Sequence, residues 1–201
     1  NDLEFMKLFK DEQFCFVAGS TWPEDERLLI DYINQSKYAI KYVIAPHTMK
    51  ADHIKNIVSS IDKSVICYSD LNEKVVLNDY DVIIIDSIGL LTKIYSYADI
   101  AYVGGGFATG LHNTLEPAVF EIPVIIGEKY EGFAEAEELV TLGGIISVNS
   151  FLELNKQVDE FFNDNDKREL TGQINSKYIK EKAGATPCIL NELNSVLATK
   201  N

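Results

Sequence analysis

Seven short apolar runs rich in Val, Ile and Tyr recur along the chain as far as Val148: Phe14 to Ala18, Ala39 to Ala45, Ser64 to Tyr68, Val82 to Ile85, Ile100 to Val103, Val124 to Ile126 and Ile145 to Val148. Each has the length of a strand. Several are apolar throughout rather than alternating, as expected when helices cover both faces of a parallel sheet. Stretches of helical spacing separate them. The first is predicted from Thr21-Trp22-Pro23-Glu24, a T-x-x-E capping box with Pro in the first turn, followed by Leu28, Leu29, Tyr32 and Ile33. Others are predicted at about Met49 to Ile61, Ile88 to Ala98, Thr114 to Glu121 and Ala134 to Leu142. This alternation predicts βαβ units with right-handed crossovers, and hence a Rossmann-like doubly wound α/β sheet over about 14–148.

After Ser150 the strand-like runs stop. Helices are predicted near Phe151 to Asn163, Lys167 to Lys182 and Pro187 to Ala198, the last with Thr186 as a cap, forming a helical C-terminal tail over about 151–199 that packs across the sheet or onto a further domain. Asn163-Asp164-Asn165-Asp166 reads as a polar break, since neither a glycine nor a downstream bidentate Glu completes a calcium loop. No repeat or low-complexity linker divides the 201 residues, so a single domain is expected.

Composition narrows the functional classes. Lys and Arg total 18 against 31 Asp and Glu, a net charge of −13, which disfavours nucleic acid as a partner. It leaves room for a small phosphorylated ligand, because a few backbone N–H groups hold one phosphate whatever the global charge. Cys15, Cys67 and Cys188 form no C-x-x-C pair, so neither a disulfide framework nor a zinc site is predicted. With no apolar run of about 18 residues and no basic-plus-apolar leader, neither a bilayer span nor a signal peptide is predicted. The chain begins at Asn1 without a Met and is read as a piece of a longer protein.

In open α/β sheets, ligands bind beyond the carboxyl ends of the strands. The residues there are Gly19-Ser20-Thr21, Pro46-His47-Thr48, Asp86-Ser87-Ile88-Gly89, Gly104-Gly105-Gly106, Gly110 to Pro117 and Gly127-Glu128. The glycine triplet permits close approach of backbone to a phosphate, or simply a tight turn. It fails as G-x-G-x-x-G because Thr109 stands where the last glycine belongs. Beside it, Asn113 is predicted as the N-cap of a short helix with Glu116 at N3, so N–H groups point at whatever lies past the glycines. Glu116 either accepts from a ribose diol or closes its own capping box. Ser20 and Thr21 either contact ligand or, for Thr21, cap the helix. His47 sits where it can touch a phosphate, whereas His53 reads as a surface or packing residue. Asp86 either serves a ligand or caps a helix beginning at Ser87. No metal cluster and no G-x-S-x-G elbow is present.

Taken together, Ala18-Gly19-Ser20-Thr21, Asp86-Ser87-Ile88-Gly89-Leu90-Leu91, Ala98 to Gly106, His112-Asn113-Thr114-Leu115-Glu116-Pro117-Ala118 and Pro123 to Gly127 resemble, in order and spacing, the C-terminal half of the bacterial 3-deoxy-D-manno-octulosonic acid (Kdo) transferases of lipid A biosynthesis. The likeness spans about Phe14 to Val148, and the H-N-x-L-E-P block is its most specific part. One departure stands out: members commonly carry an arginine in a P-R-H-P segment after the second strand, where this chain has Ala45-Pro46-His47-Thr48.

The resemblance implies the C-terminal domain of a GT-B glycosyltransferase, which holds CMP-Kdo as donor. His112 and Asn113 would then lie near the donor phosphate, Glu116 at the ribose, the Asp86-Ser87-Ile88-Gly89 turn against cytosine and Gly104 to Gly106 where close approach is needed, with Gly19, Ser20 and His47 along the same edge. It implies a missing N-terminal half that supplies the catalytic base, the lipid A precursor acceptor site and any membrane contact. The full-length enzyme is expected on the cytoplasmic face of the inner membrane. The piece by itself is expected to be soluble and inactive, and to need no cofactor and no metal. Two alternatives remain open: another GT-B-like enzyme acting on a UDP-sugar, such as an epimerase or N-acetylglucosaminyl transferase, and a non-catalytic Rossmann-like interaction module.

Overall fold

A computed structural model describes residues 2–108 and 110–184. Seven strands form one parallel sheet: β1 (Phe14–Thr21), β2 (Ile40–Pro46), β3 (Val65–Cys67), β4 (Val82–Ile84), β5 (Ile100–Val103), β6 (Val124–Gly127) and β7 (Ile145–Val148), in the order β3-β4-β2-β1-β5-β6-β7. All seven coincide with the apolar runs. The helices are α1 (Glu4–Lys10), α2 (Pro23–Gln35), α3 (Ala51–Ser60), α4 (Leu91–Ile94), α5 (Leu115–Ala118), α6 (Ala134–Leu142), α7 (Phe151–Asn163) and α8 (Asn165–Lys182).

The uninterrupted apolarity of the strands has a direct cause, because each strand feeds two cores. Cys15, Val17, Ile83, Ala101 and Val124 face one side, where Met6 and Phe9 of α1, Ile94 of α4, Leu139 of α6 and Tyr178 of α8 cover them. Phe16, Ala18, Val82, Ile84 and Ile100 face the other, beneath Leu29 and Ile33 of α2, Ile54 and Ile57 of α3, and Leu154, Val158 and Phe161 of α7. The sheet is thus doubly wound.

The tail up to Lys182 packs across the sheet. Asn175 on α8 is fully buried, and its side-chain amide donates to Ile122 O and Gly144 O, each at 2.8 Å. Gly172 lets α8 lie directly on the Glu121 carbonyl, a place a Cβ would fill. Between α7 and α8 only Asp164 breaks the helix, its carboxylate accepting from Lys167 N at 2.9 Å, which is a loop in the role expected of it. The helix predicted at Pro187 to Ala198, with Thr186 as cap, lies outside the described residues.

Four local expectations are corrected. Helix α1 precedes the first strand and was not anticipated. Helix α2 starts one residue later than the T-x-x-E reading: Trp22 is the N-cap, and the N3 carboxylate answering it is Asp25, which accepts from Trp22 N at 2.9 Å. The helix expected from Ile88 begins only at Leu91 and gives way to a 3₁₀ turn at Tyr95. Helix α5 is four residues long with Thr114 as its N-cap, not Asn113.

Candidate functional site

Strand β1 lies mid-sheet between β2 and β5. The chain leaves β1 toward one face through α2 and leaves β5 toward the other through α5, so the loops diverge and open a crevice at the carboxyl edge. The end of β1 is distorted to serve it. Its pairing with β2 shifts register between Gly19 and Thr21, and Ser20 takes a left-handed backbone with φ of 54°. For a non-glycine residue that conformation is costly and must be held by its surroundings.

The loop just beyond it is held by Asp25, a fully buried carboxylate on the first turn of α2. One oxygen accepts from Trp22 N and Gly105 N, both at 2.9 Å, and the other from the Tyr102 hydroxyl at 2.7 Å. The phenol is pushed well above its ordinary range by burial and by this carboxylate, so it stays a donor. A single side chain therefore ties together the β1 loop, strand β5 and the glycine turn.

The glycines themselves are packing contacts. A Cβ on Gly104 would collide with the Ser20 carbonyl and come 2.7 Å from Thr21 Cα; one on Gly106 would come 2.7 Å from Gly127; Gly105 has φ of 97°. Gly19 is buried against the Tyr95 hydroxyl, again with no room for a Cβ. Of the two uses open to the triplet, close approach of backbone segments is the one these contacts show, and the Gly105 N–H is already engaged by Asp25.

Above this frame three rings gather. Trp22 stacks on His47 with centroids 4.5 Å apart and planes at 16°; His112 lies 4.8 Å from His47; and the indole N–H donates to His112 Nε2 at 3.0 Å. His47 is anchored by its backbone N–H, which donates to Thr21 O at 2.9 Å. Burial and the neighbouring His47 lower the basicity of His112, against a smaller opposing pull from Asp25 and Glu116.

Next in the chain, Asn113 is exposed and its side-chain oxygen accepts from Leu115 N at 3.0 Å, a local turn that starts α5 although Asn113 is not its formal cap. Its amide donates to one Glu116 oxygen at 3.3 Å, and Thr92 of α4 donates to the other at 3.2 Å. Glu116 is thus oriented by its neighbours on two elements rather than by a capping box. At four residues, α5 contributes little dipole to an anion.

The Asp86-to-Gly89 turn lies at the end of β4, beyond β2. The Asp86 carboxylate is occupied in bracing Ser69, accepting from its N–H at 2.9 Å and its hydroxyl at 2.5 Å. Ser87 is half-buried, while Ile88 is 88% exposed and Gly89 takes φ of 88° with open space around it. On the opposite flank, a cleft of about 390 Å³ beside the glycine turn is lined by Ala108, Gly110, Glu128, Lys129, Glu131 and Phe133.

His53 is neither bare surface nor apolar packing: it bonds to Glu26 at 3.1 Å, and Glu26 also accepts from the buried Thr21 hydroxyl at 3.1 Å. Burial pushes the Glu26 carboxyl upward. Asp25, Trp22 and Glu26 are the residues that sequence reasoning passed over. The signal for Asp25 was present in T-W-P-E-D, where the N3 acid follows from Trp22 rather than Thr21 as cap. Among the described residues, no group of three or more His, Cys, Asp or Glu is placed to hold a metal ion, and no helix is long and apolar enough to cross a membrane.

Known proteins share this fold. The crystal structure of the C-terminal CMP-Kdo binding domain of WaaA from Acinetobacter baumannii superposes with a TM-score of 0.69 at 21% identity, covering 88% of this chain and 96% of that one. The fold is that of the C-terminal domain of a GT-B glycosyltransferase. In sequence the chain resembles the C-terminal half of the bacterial Kdo transferases. The Rickettsia bellii 3-deoxy-D-manno-octulosonic acid transferase is 32% identical over 178 residues, 85% of this chain and 42% of that protein. A bifunctional glycosyltransferase/methyltransferase of Fusobacterium nucleatum is 27% identical over 179 residues, 88% of this chain and 28% of that protein. No family model matches. The chain thus spans less than half the length of either of these relatives.

Proposed function

We propose that this chain is the donor-binding domain of an enzyme that transfers Kdo from CMP-Kdo to a lipid A precursor. The observation that carries the reading is the H-N-x-L-E-P segment at the sheet's switch point, where Glu116 is held by Asn113 and Thr92 beside the paired rings of His112 and His47. Glu116 has the chemistry to accept from a ribose diol. Asn113 and His112 have the chemistry to donate to a phosphate, and the open turn carrying Ile88 offers an apolar face to a base.

In such a transfer a hydroxyl of the acceptor attacks the anomeric carbon as the bond to the CMP oxygen breaks, and negative charge develops on the phosphate. Donors fixed in place before the reaction stabilise that charge without reorganisation. Asp25 provides the fixing, since it locks both strand-end loops. No residue of this chain is assigned the role of base; the base, the acceptor site and the contact with the cytoplasmic face of the inner membrane belong to the remaining part of the enzyme in this reading, and no cofactor or metal is needed.

The test is calorimetric titration with CMP, UMP and AMP, repeated on Glu116→Ala. The reading expects CMP-selective binding that weakens at least about tenfold, or about 1.4 kcal/mol, in the variant. A preference for UMP would move the assignment to an enzyme of UDP-sugars. Absence of nucleotide binding together with a stable homodimer would make the chain an interaction module.

A further inference from the structure

The bond from Trp22 Nε1 to His112 Nε2, at 3.0 Å, is compatible with only one arrangement of protons on the histidine ring. An indole nitrogen only donates, so His112 Nε2 must be a bare acceptor. A neutral imidazole with a bare Nε2 carries its proton on Nδ1, which is the minor form of histidine in water. We propose that Trp22 is a positioning residue that sets the tautomer of His112, so that the ring offers a fixed, uncharged Nδ1–H to the phosphate of a bound nucleotide; the role toward nucleotide rests on the donor-site reading above.

The stack is built for this. The backbone of Trp22 is fixed, because its N–H is held by buried Asp25 and Pro23 follows it at the first helical position. The indole face is covered by His47 at 4.5 Å, and that ring also packs at 4.8 Å on His112. The titratable groups facing His112 are His47 at the end of β2, Asp25 on α2 and Glu116 on α5. Protonating His112 would put a donor where the indole N–H already points, breaking the bond and placing a cation beside His47. Burial of the ring, and after it the neighbouring His47, lower the basicity of His112 in the same direction. A neutral N–H has the further merit of stabilising charge on a phosphate without forming a salt bridge that must be broken when CMP leaves.

The experiment is long-range ¹H–¹⁵N correlation of the histidine rings in the unliganded protein near pH 8, alongside Trp22→Phe, which keeps a ring under His47 but deletes the donor. Wild type is expected to show His112 with a bare Nε2 and a protonated Nδ1; the variant should revert mostly to Nε2–H, its His112 should titrate at higher pH, and its CMP affinity should fall about tenfold, the worth of one well-placed hydrogen bond. His112 found as Nε2–H in wild type overturns the proposal even if the variant fails to fold. Correct tautomers with unchanged CMP affinity in the variant overturn the role toward phosphate. A wild type that shows the bare Nε2 but binds no nucleotide would leave the ring device standing and sink the donor-site reading instead. Trp22 is the sole tryptophan of the chain, so its fluorescence reports the same titration independently.

Discussion

Two glycine-bearing turns sit at the carboxyl edge of the same sheet and do opposite work. The turn after β5, Gly104 to Gly106, is closed: its Cα atoms face Ser20, Gly110 and Gly127 with no room for a methyl group, and its central N–H is given to Asp25. The turn after β4, ending in Gly89, is open: a Cβ there would meet nothing within 4 Å, and Ile88 beside it is 88% exposed. Glycine at a strand end is therefore two different statements. In the first turn it lets three backbones touch; in the second it merely supplies a positive φ. In the donor-site reading proposed above, ligand contacts fall to the open turn and to the side chains standing on the closed one.

The sharpest way to break this contrast is Gly104→Ala. The added methyl meets the Ser20 carbonyl and Thr21 Cα, backbone atoms that cannot rotate aside and that belong to an already strained bulge. The expected loss is about 4 kcal/mol, at the exceptional end for a single substitution and a large fraction of the about 5 to 15 kcal/mol of a typical domain. Denaturant unfolding measures it. A loss below about 1 kcal/mol would show that the turn has slack, and that the triplet is free for a ligand after all.

Asp25→Ala comes next. Removing this fully buried carboxylate strands the Tyr102 hydroxyl and the N–H groups of Trp22 and Gly105. Buried donors left unpaired cost about 1 to 3 kcal/mol each; allowing for water entering the gap, about 3 kcal/mol in total is expected. Because Asp25 also holds Trp22, the same variant should lose the His112 tautomer signature, coupling a stability measurement to a spectroscopic one. Unchanged ring spectra would mean that the stack, not the carboxylate, places Trp22.

That coupling also explains what could and could not be read along the chain. Seven strands were legible because burial on both faces leaves an uninterrupted apolar run that needs no knowledge of its neighbours. The His112-to-Glu116 block was legible because its residues lie within one turn of one another. Asp25 was not, since its partners Tyr102 and Gly105 lie 77 and 80 positions away. Nor was the Trp22–His112 bond, which spans 90 positions. The short helices α4 and α5 were overextended because apolar spacing persists through Tyr95 and past Ala118, where 3₁₀ and irregular turns satisfy the same burial. Helix α1 was missed because its buried pair, Met6 and Phe9, is too brief a signal without the sheet it covers.

Ile88→Ser makes the smallest change in stability and sharpens the comparison from the open side. An exposed side chain removes little apolar area from water, so the substitution should shift the unfolding free energy by no more than about 0.5 kcal/mol in either direction. If the open turn receives the base, burial of that side chain occurs only in the complex, and CMP affinity should fall; an isoleucine half-covered by a ring is worth on the order of 1 kcal/mol, about fivefold in the dissociation constant. The two numbers together decide the matter. Loss of stability with intact binding would assign Ile88 to the fold; loss of both would mean that the turn is braced through Ser69 and Asp86 more tightly than its exposure implies; intact stability with weakened binding is the outcome expected of a surface kept apolar for a ligand.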